Sequence, residues 1–180
     1  SARLGKVELA SGDGMTVDMY GHGLYELTVS DKVKSQLVSN TGIITAEGGA
    51  IAITAATGKE IVDSLVIIQG ELNAPTIEQK GGKIIIGGDQ SVTEVKGYVG
   101  AVGRNSGEKG GKITITGKSV TVQAGSLIDA SGKAGGGDVL IGGDYQGKGD
   151  IPTAQRAIIE KDARIWANAT EKGDGGKVII

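Results

Sequence analysis

The sequence predicts an all-β fold, a right-handed parallel β-helix of about six coils. Three observations predict it. A Gly-Gly pair followed by alternating apolar residues recurs at GGAIAI (48–53), GGKIII (81–86), GGKITI (110–115), GGDVLI (136–141) and GGKVII (175–180). A weaker copy, LGKVEL (4–9), opens the chain, and successive Gly-Gly pairs stand 33, 29, 26 and 39 residues apart. A period of this length is the signature of stacked repeats. Composition agrees: 33 of 180 residues are Gly, Phe is absent, and there are one Trp and four Tyr. Without large aromatics the core must be thin and aliphatic, as between closely stacked sheets.

Each element then follows from its pattern. In the Gly-Gly strands the alternation has period two, which is strand and not helix. It points Ile51, Ile53, Ile84, Ile86, Ile113, Ile115, Val139, Ile141, Val178 and Ile180 inward, and Ala50, Lys83, Lys112, Asp138 and Lys177 outward. A second strand recurs in phase: GIITA (42–46), GELNA (70–74), GYVGA (97–101), SLIDA (126–130) and ARIWA (163–167). Its inward positions are Ile44, Leu72, Val99, Ile128 and Ile165, with the Ala two residues on. A looser third strand lies between the two, as at EIVDSLVI (60–67), SVTEV (91–95), SVTVQ (119–123) and AIIEK (157–161). Stacked in parallel at about 4.8 Å per rung, six such coils make a rod roughly 25–30 Å long. Glycine falls where the chain turns between faces. Two segments depart from the repeat. Residues 15–29 hold two alternating runs around Gly21-His22-Gly23 and are read as an antiparallel hairpin outside the helix, the alternative being two successive faces with a tight corner. Residues 142–153 are read as a loop insertion.

Composition also excludes. The net charge of −2 offers no basic face for nucleic acid. With no Cys there are no disulfides and no thiolate metal sites. No apolar run is long enough for a membrane-spanning helix, and no signal peptide is visible. The chain ends within a strand and is read as cut from a longer protein.

GKVELASGDGMTVDMYGHGLYELTV, VSNTGIITAEGGAIAITAA, LIDASGKAGGGDVLIGGD and DARIWANATEKGDGGKVII resemble the two-partner secretion exoproteins of the filamentous haemagglutinin type. The resemblance covers nearly the whole chain. It implies a right-handed β-helix, residues 1–180 forming one segment of a longer exoprotein. It also implies export through an outer-membrane β-barrel transporter, and a place in the medium or on the surface of a Gram-negative bacterium. The family's secretion domain carries Asn-Pro-Asn motifs, whereas Pro occurs here only at Pro75 and Pro152. The resemblance therefore implies the stalk that follows the recognition core, or the core's final coils, with the transporter met by a region outside this chain.

Candidate chemistry is sparse. Gly142, Gly147 and Lys148 approach a phosphate loop, but Gly149-Asp150-Ile151-Pro152 follows, with no hydroxyl for Mg²⁺ and no helix start. GGGDVLIGGD lacks the spacing and tandem copies of calcium-binding nonapeptides. His22 is the one histidine and sits in a Gly-rich turn. Carboxylates are scattered; Asp129 and Asp138 fall on different elements, unlike the paired acids of glycosidases. No cofactor, metal or catalytic residue is expected. Alternation points Trp166 outward, at the position of Thr45, Asn73, Gly100 and Asp129. It is read as covered by the 142–153 insertion, or else as a contact residue, and outward Ile85, Leu140 and Ile179 invite the same reading. Candidate surface contacts are Trp166, Tyr145 and Lys148. Lys-Gly-Asp at 148–150 and 172–174, and the sequon Asn168-Ala169-Thr170, are read as chance occurrences. The outward lysine column, Lys6, Lys83, Lys112 and Lys177, is interrupted by Ala50 and Asp138 and is read as a solvated face, with a weak polyanion-binding stripe as the alternative.

The functional expectation is a non-enzymatic structural and adhesive segment whose surface receptor or glycan the sequence does not name. Alternatives are the stalk of a contact-dependent growth-inhibition toxin and, from another class, a carbohydrate-active β-helix enzyme.

Overall fold

A computed structural model describes residues 1–11, 14–17, 25–28, 35–55, 63–77 and 80–180. The described chain is a parallel β-helix whose coils contribute one strand to each of three parallel sheets. The Gly-Gly sheet stacks Lys6–Ser11, Ala50–Ala55, Lys83–Ile86, Lys112–Ile115, Asp138–Ile141 and Lys177–Ile179. The third-strand sheet stacks Ser35–Asn40, Asp63–Ile68, Val92–Val95, Ser119–Val122 and Arg156–Ile159. The alanine sheet stacks Ala2–Arg3, Ile43–Glu47, Glu71–Asn73, Tyr98–Gly100, Leu127–Asp129 and Arg164–Trp166. No α-helix occurs among the described residues.

Register follows the sequence repeat residue for residue. Ile51, Ile84, Ile113 and Val139 pair in one inward column, and Ile53, Ile86, Ile115 and Ile141 in the next. Parallel pairing of identical positions brings the same side-chain shape onto every rung, so the aliphatic columns fill the interior without large rings. All of these residues are 0–1% exposed, as are Leu72, Val99 and Ile128 of the alanine sheet. The Ala column (Ala46, Ala74, Ala101, Ala130) is fully buried, because at the narrow corner only a methyl fits beside the incoming Gly-Gly turn. Val178 keeps register with Val139 and is 43% exposed on the edge strand of its sheet.

Two other devices shape the stack. At the glycine corner a methyl group on Gly111 would sit 2.1 Å from the carbonyl oxygen of Gly82 on the coil before, so backbone alone fits there. At other corners buried hydroxyls bind backbone carbonyls of the adjacent coil: Thr93 to Thr116 at 2.7 Å, Thr76 to Lys109 at 2.8 Å, and Ser126 to Val95 at 2.8 Å. These bonds satisfy carbonyls that leave the ladder where the chain turns.

The expected hairpin is present. Gly14–Val17 pairs antiparallel with Tyr25–Thr28, Met15 opposite Leu27, and this sheet joins none of the other three. His22 and its flanking glycines lie outside the described residues.

Candidate functional surface

The interior of the rod is uniform, so any recognition chemistry belongs to the outward columns and to the loops that leave the coils. The largest departure is the 142–153 insertion. It leaves the Gly-Gly sheet at Gly142, forms a 3-10 turn over Tyr145–Gly147 capped by Asp144, and returns where the Ala154 N–H donates to the Gly142 carbonyl. Within the turn Gln146 has φ +57°, and the Lys148 N–H closes on the Tyr145 carbonyl.

The insertion lies across the outer face of the Gly-Gly sheet. Asp144 reaches Lys177 on the last coil (3.9 Å), while Asp150, Ile151 and Pro152 border a groove with Thr114 one coil away and Ile85 two coils away. Outward Leu140 is fully buried as a result, and Thr114 is nearly so. This corrects the expectation for Trp166. The insertion covers Leu140, and Trp166 projects from the alanine sheet with 39% of its surface exposed. The reason is topological: the loop joins the Gly-Gly sheet to the third-strand sheet, and the alanine sheet is the face that it does not border.

The three sequence-predicted contact residues are therefore exposed but not brought together. Tyr145 (66% exposed) and Lys148 stand on the insertion; Trp166 stands on another face. Both Lys-Gly-Asp tripeptides and Asn168 are likewise at the surface. Asp129 and Asp138 lie on separate sheets.

Two features of the outer faces were not read from sequence. On the alanine sheet the Tyr98 ring lies over Gly100; a methyl group at Gly100 would sit 2.1 Å from the phenol oxygen. Asn73 and Asp129 flank Gly100 in register. Burial, followed by the Asp129 charge, raises the Tyr98 pKa above its usual 10.0, and Arg104 beside the hydroxyl opposes the shift. The signal was available: Tyr98 and Gly100 are two apart on one face, and Gly100 is the one position in its column without a side chain.

The second is a trough along the Gly-Gly sheet. A groove of about 490 Å³ beneath the insertion and a second of about 380 Å³ at the glycine corner share Lys83 and Lys112. These lysines are direct cross-strand neighbours, and Lys109 joins them at the glycine end. At other surface points charges are paired: Lys133 meets Glu171 at 2.6 Å, and Ser106 donates to the same carboxylate, which holds Glu171 below the usual carboxylate range.

A stack of parallel coils from which one hairpin and one loop depart defines a class, the β-solenoids. Comparison with known proteins narrows it. The secretion domain of HMW1 from Haemophilus influenzae matches 98% of this chain with a TM-score of 0.67 and 26% identity. An 84-residue stretch, 47% of this chain, is 33% identical to the heme/hemopexin-binding protein of Haemophilus influenzae. The chain spans 52% of the secretion domain and 9% of the heme/hemopexin-binding protein. No family model matches. In fold, and over about half of its sequence, the chain is similar to these two proteins, which agrees with the resemblance to two-partner secretion exoproteins.

Proposed function

We propose that the chain is a non-enzymatic β-helical domain of a large bacterial exoprotein. The parent is secreted through an outer-membrane β-barrel transporter to the medium or the surface of a Gram-negative cell, where the rod extends and contributes adhesive surface. The observation that carries this reading is the likeness to a secretion domain along 98% of the chain. Of the two positions implied by the resemblance, that likeness favours the final coils of the secretion domain over the stalk that follows it. Parallel coils suit export, since each can add to the coil already folded without a distant partner.

The test uses the full exoprotein co-expressed with its transporter. Ile113→Asp buries a charge in the aliphatic column and breaks the stack. Export is expected to fall sharply, while replacing 142–153 by a short turn leaves export intact and lowers adhesion to host cells. Undiminished export of the Ile113→Asp exoprotein would place the segment outside the secretion domain. The likeness to a heme/hemopexin-binding protein favours a second reading, in which the same scaffold presents its parent to a soluble heme carrier. Hemopexin retained by the immobilised exoprotein would support it.

A further inference from the structure

We propose that the trough on the outer face of the Gly-Gly sheet binds a carboxylated saccharide, its carboxylate held between Lys83 and Lys112. The proposal names a ligand class for the adhesive part of the reading above and rests on none of the export part.

Four observations lead to it. Lys83 and Lys112 line both grooves, and the larger has the size of a small-ligand site. Its floor and wall offer apolar surface from Ile85, Ile151 and Pro152, and hydroxyls from Thr114 and Thr116. Lys83 and Lys112 sit directly opposite each other on adjacent coils, an arrangement that destabilises a sheet. None of Lys83, Lys109 and Lys112 makes an ion pair among the described residues, although Asp138 is the next residue in the Lys112 column. An anion placed between the ammonium groups removes this repulsion and accepts charge-assisted hydrogen bonds from both.

The remaining lining selects the rest of the ligand. Asp89 and Asp150 border the flap end of the trough, also without ion pairs. They are hydrogen-bond acceptors with no donor of their own. A sugar supplies hydroxyl donors to them and lays its C–H face on Ile85 and Pro152. An acidic peptide would instead set further carboxylates beside both aspartates. A densely sulfated chain meets the same obstacle, because the basic stretch spans two coils and is bounded by Ala50 and Asp138.

The test is calorimetric titration of the 180-residue chain with a galactose oligomer that ends in a single galacturonic acid, with a neutral galactose oligomer of equal length, and with poly-glutamate. The singly carboxylated oligomer is expected to bind at least about tenfold more tightly than either control. Lys83→Ala and Lys112→Ala should each weaken it about tenfold, the scale of one hydrogen bond to a charged group. Lys96→Ala/Lys118→Ala removes two exposed charges outside the trough and should leave binding unchanged. Melting temperature reads folding separately: it should hold or rise in Lys112→Ala as the opposed charges are relieved. Absence of binding, equal affinity for the neutral oligomer, equal or tighter binding of poly-glutamate, or equal loss in Lys96→Ala/Lys118→Ala would each overturn the proposal.

Discussion

The glycine corner makes the sharpest prediction about what holds the rod together. In Gly111→Ala the new methyl would lie 2.1 Å from the Gly82 carbonyl oxygen and 2.9 Å from the Gly82 backbone nitrogen. Carbon and oxygen need about 3.5 Å, so the two coils must part locally by more than an ångström. Three bonds hold the backbone at Gly111, so a shift away from Gly82 disturbs all of them: Gly111 N–H to the Ala101 carbonyl (2.7 Å) around the corner, Lys112 N–H to the Gly82 carbonyl (2.9 Å) on the coil before, and Asp138 N–H to the Gly111 carbonyl (3.0 Å) on the coil after. At a net value of about 1 kcal/mol each, loosening all three costs about 3 kcal/mol before any loss of core packing. Gly125→Ala is the control. Gly125 has φ +78° with nothing within 4 Å of a new methyl, so only the left-handed backbone resists, at about 1–2 kcal/mol. Urea denaturation of the two variants, followed by far-UV circular dichroism, measures the difference. If Gly111→Ala proves no more costly than Gly125→Ala, close backbone approach is not why the repeat demands glycine.

Other outcomes follow from burial and charge. Ile113→Ala, in a fully buried column, should cost about 2–5 kcal/mol, whereas Val178→Ala, 43% exposed on the last coil, should cost under about 1 kcal/mol; equal losses in a melt would show that the end coil is covered. Gly100→Val should evict the Tyr98 ring and return its pKa toward 10.0, read by ultraviolet titration of the phenol. Because the folded pKa of Tyr98 is raised, its contribution to stability is intact below about pH 10 and is lost as pH rises through the folded value; Tyr98→Phe should flatten that decline. Trp166 is the sole Trp, so the chain's indole emission should be solvent-like and open to acrylamide quenching. A blue-shifted, protected emission would mean that something covers Trp166 after all.

Much of the fold was legible because a coil repeat constrains backbone and side chain together. The period-two columns named the buried residues of the Gly-Gly and alanine sheets, and register followed, since identical positions must stack for an all-aliphatic core to fill. The path of the 142–153 insertion was not legible. It has no periodicity, and its direction is set by contacts distant in sequence: Asp144 reaching Lys177, and apolar Leu140 requiring cover. Trp166 looked like the residue in need of a lid because it is the larger ring. The loop leaves from another sheet, however, and a partly exposed indole is tolerable where a wholly exposed leucine beside a loop gains most by burial.

The outward columns then carry whatever distinguishes this rod from others. Inward positions tolerate little change, because each is packed by the coils above and below, and the glycine corners tolerate none. Outward positions face no such demand, so an arrangement there that lowers stability calls for a cause outside the fold. Most outward features are neutral or favourable: Glu171 is paired with Lys133, Tyr98 fits over Gly100, and Leu140 is covered. Lys83 opposite Lys112 is the exception. A single Ala or Asp on either rung would relieve it, as Ala50 and Asp138 do on the rungs adjoining them. The glycine corner beside the pair keeps its ammonium groups over bare backbone, where a flat ligand can approach. The same geometry that forbids a methyl group between coils therefore leaves the trough open at its charged end.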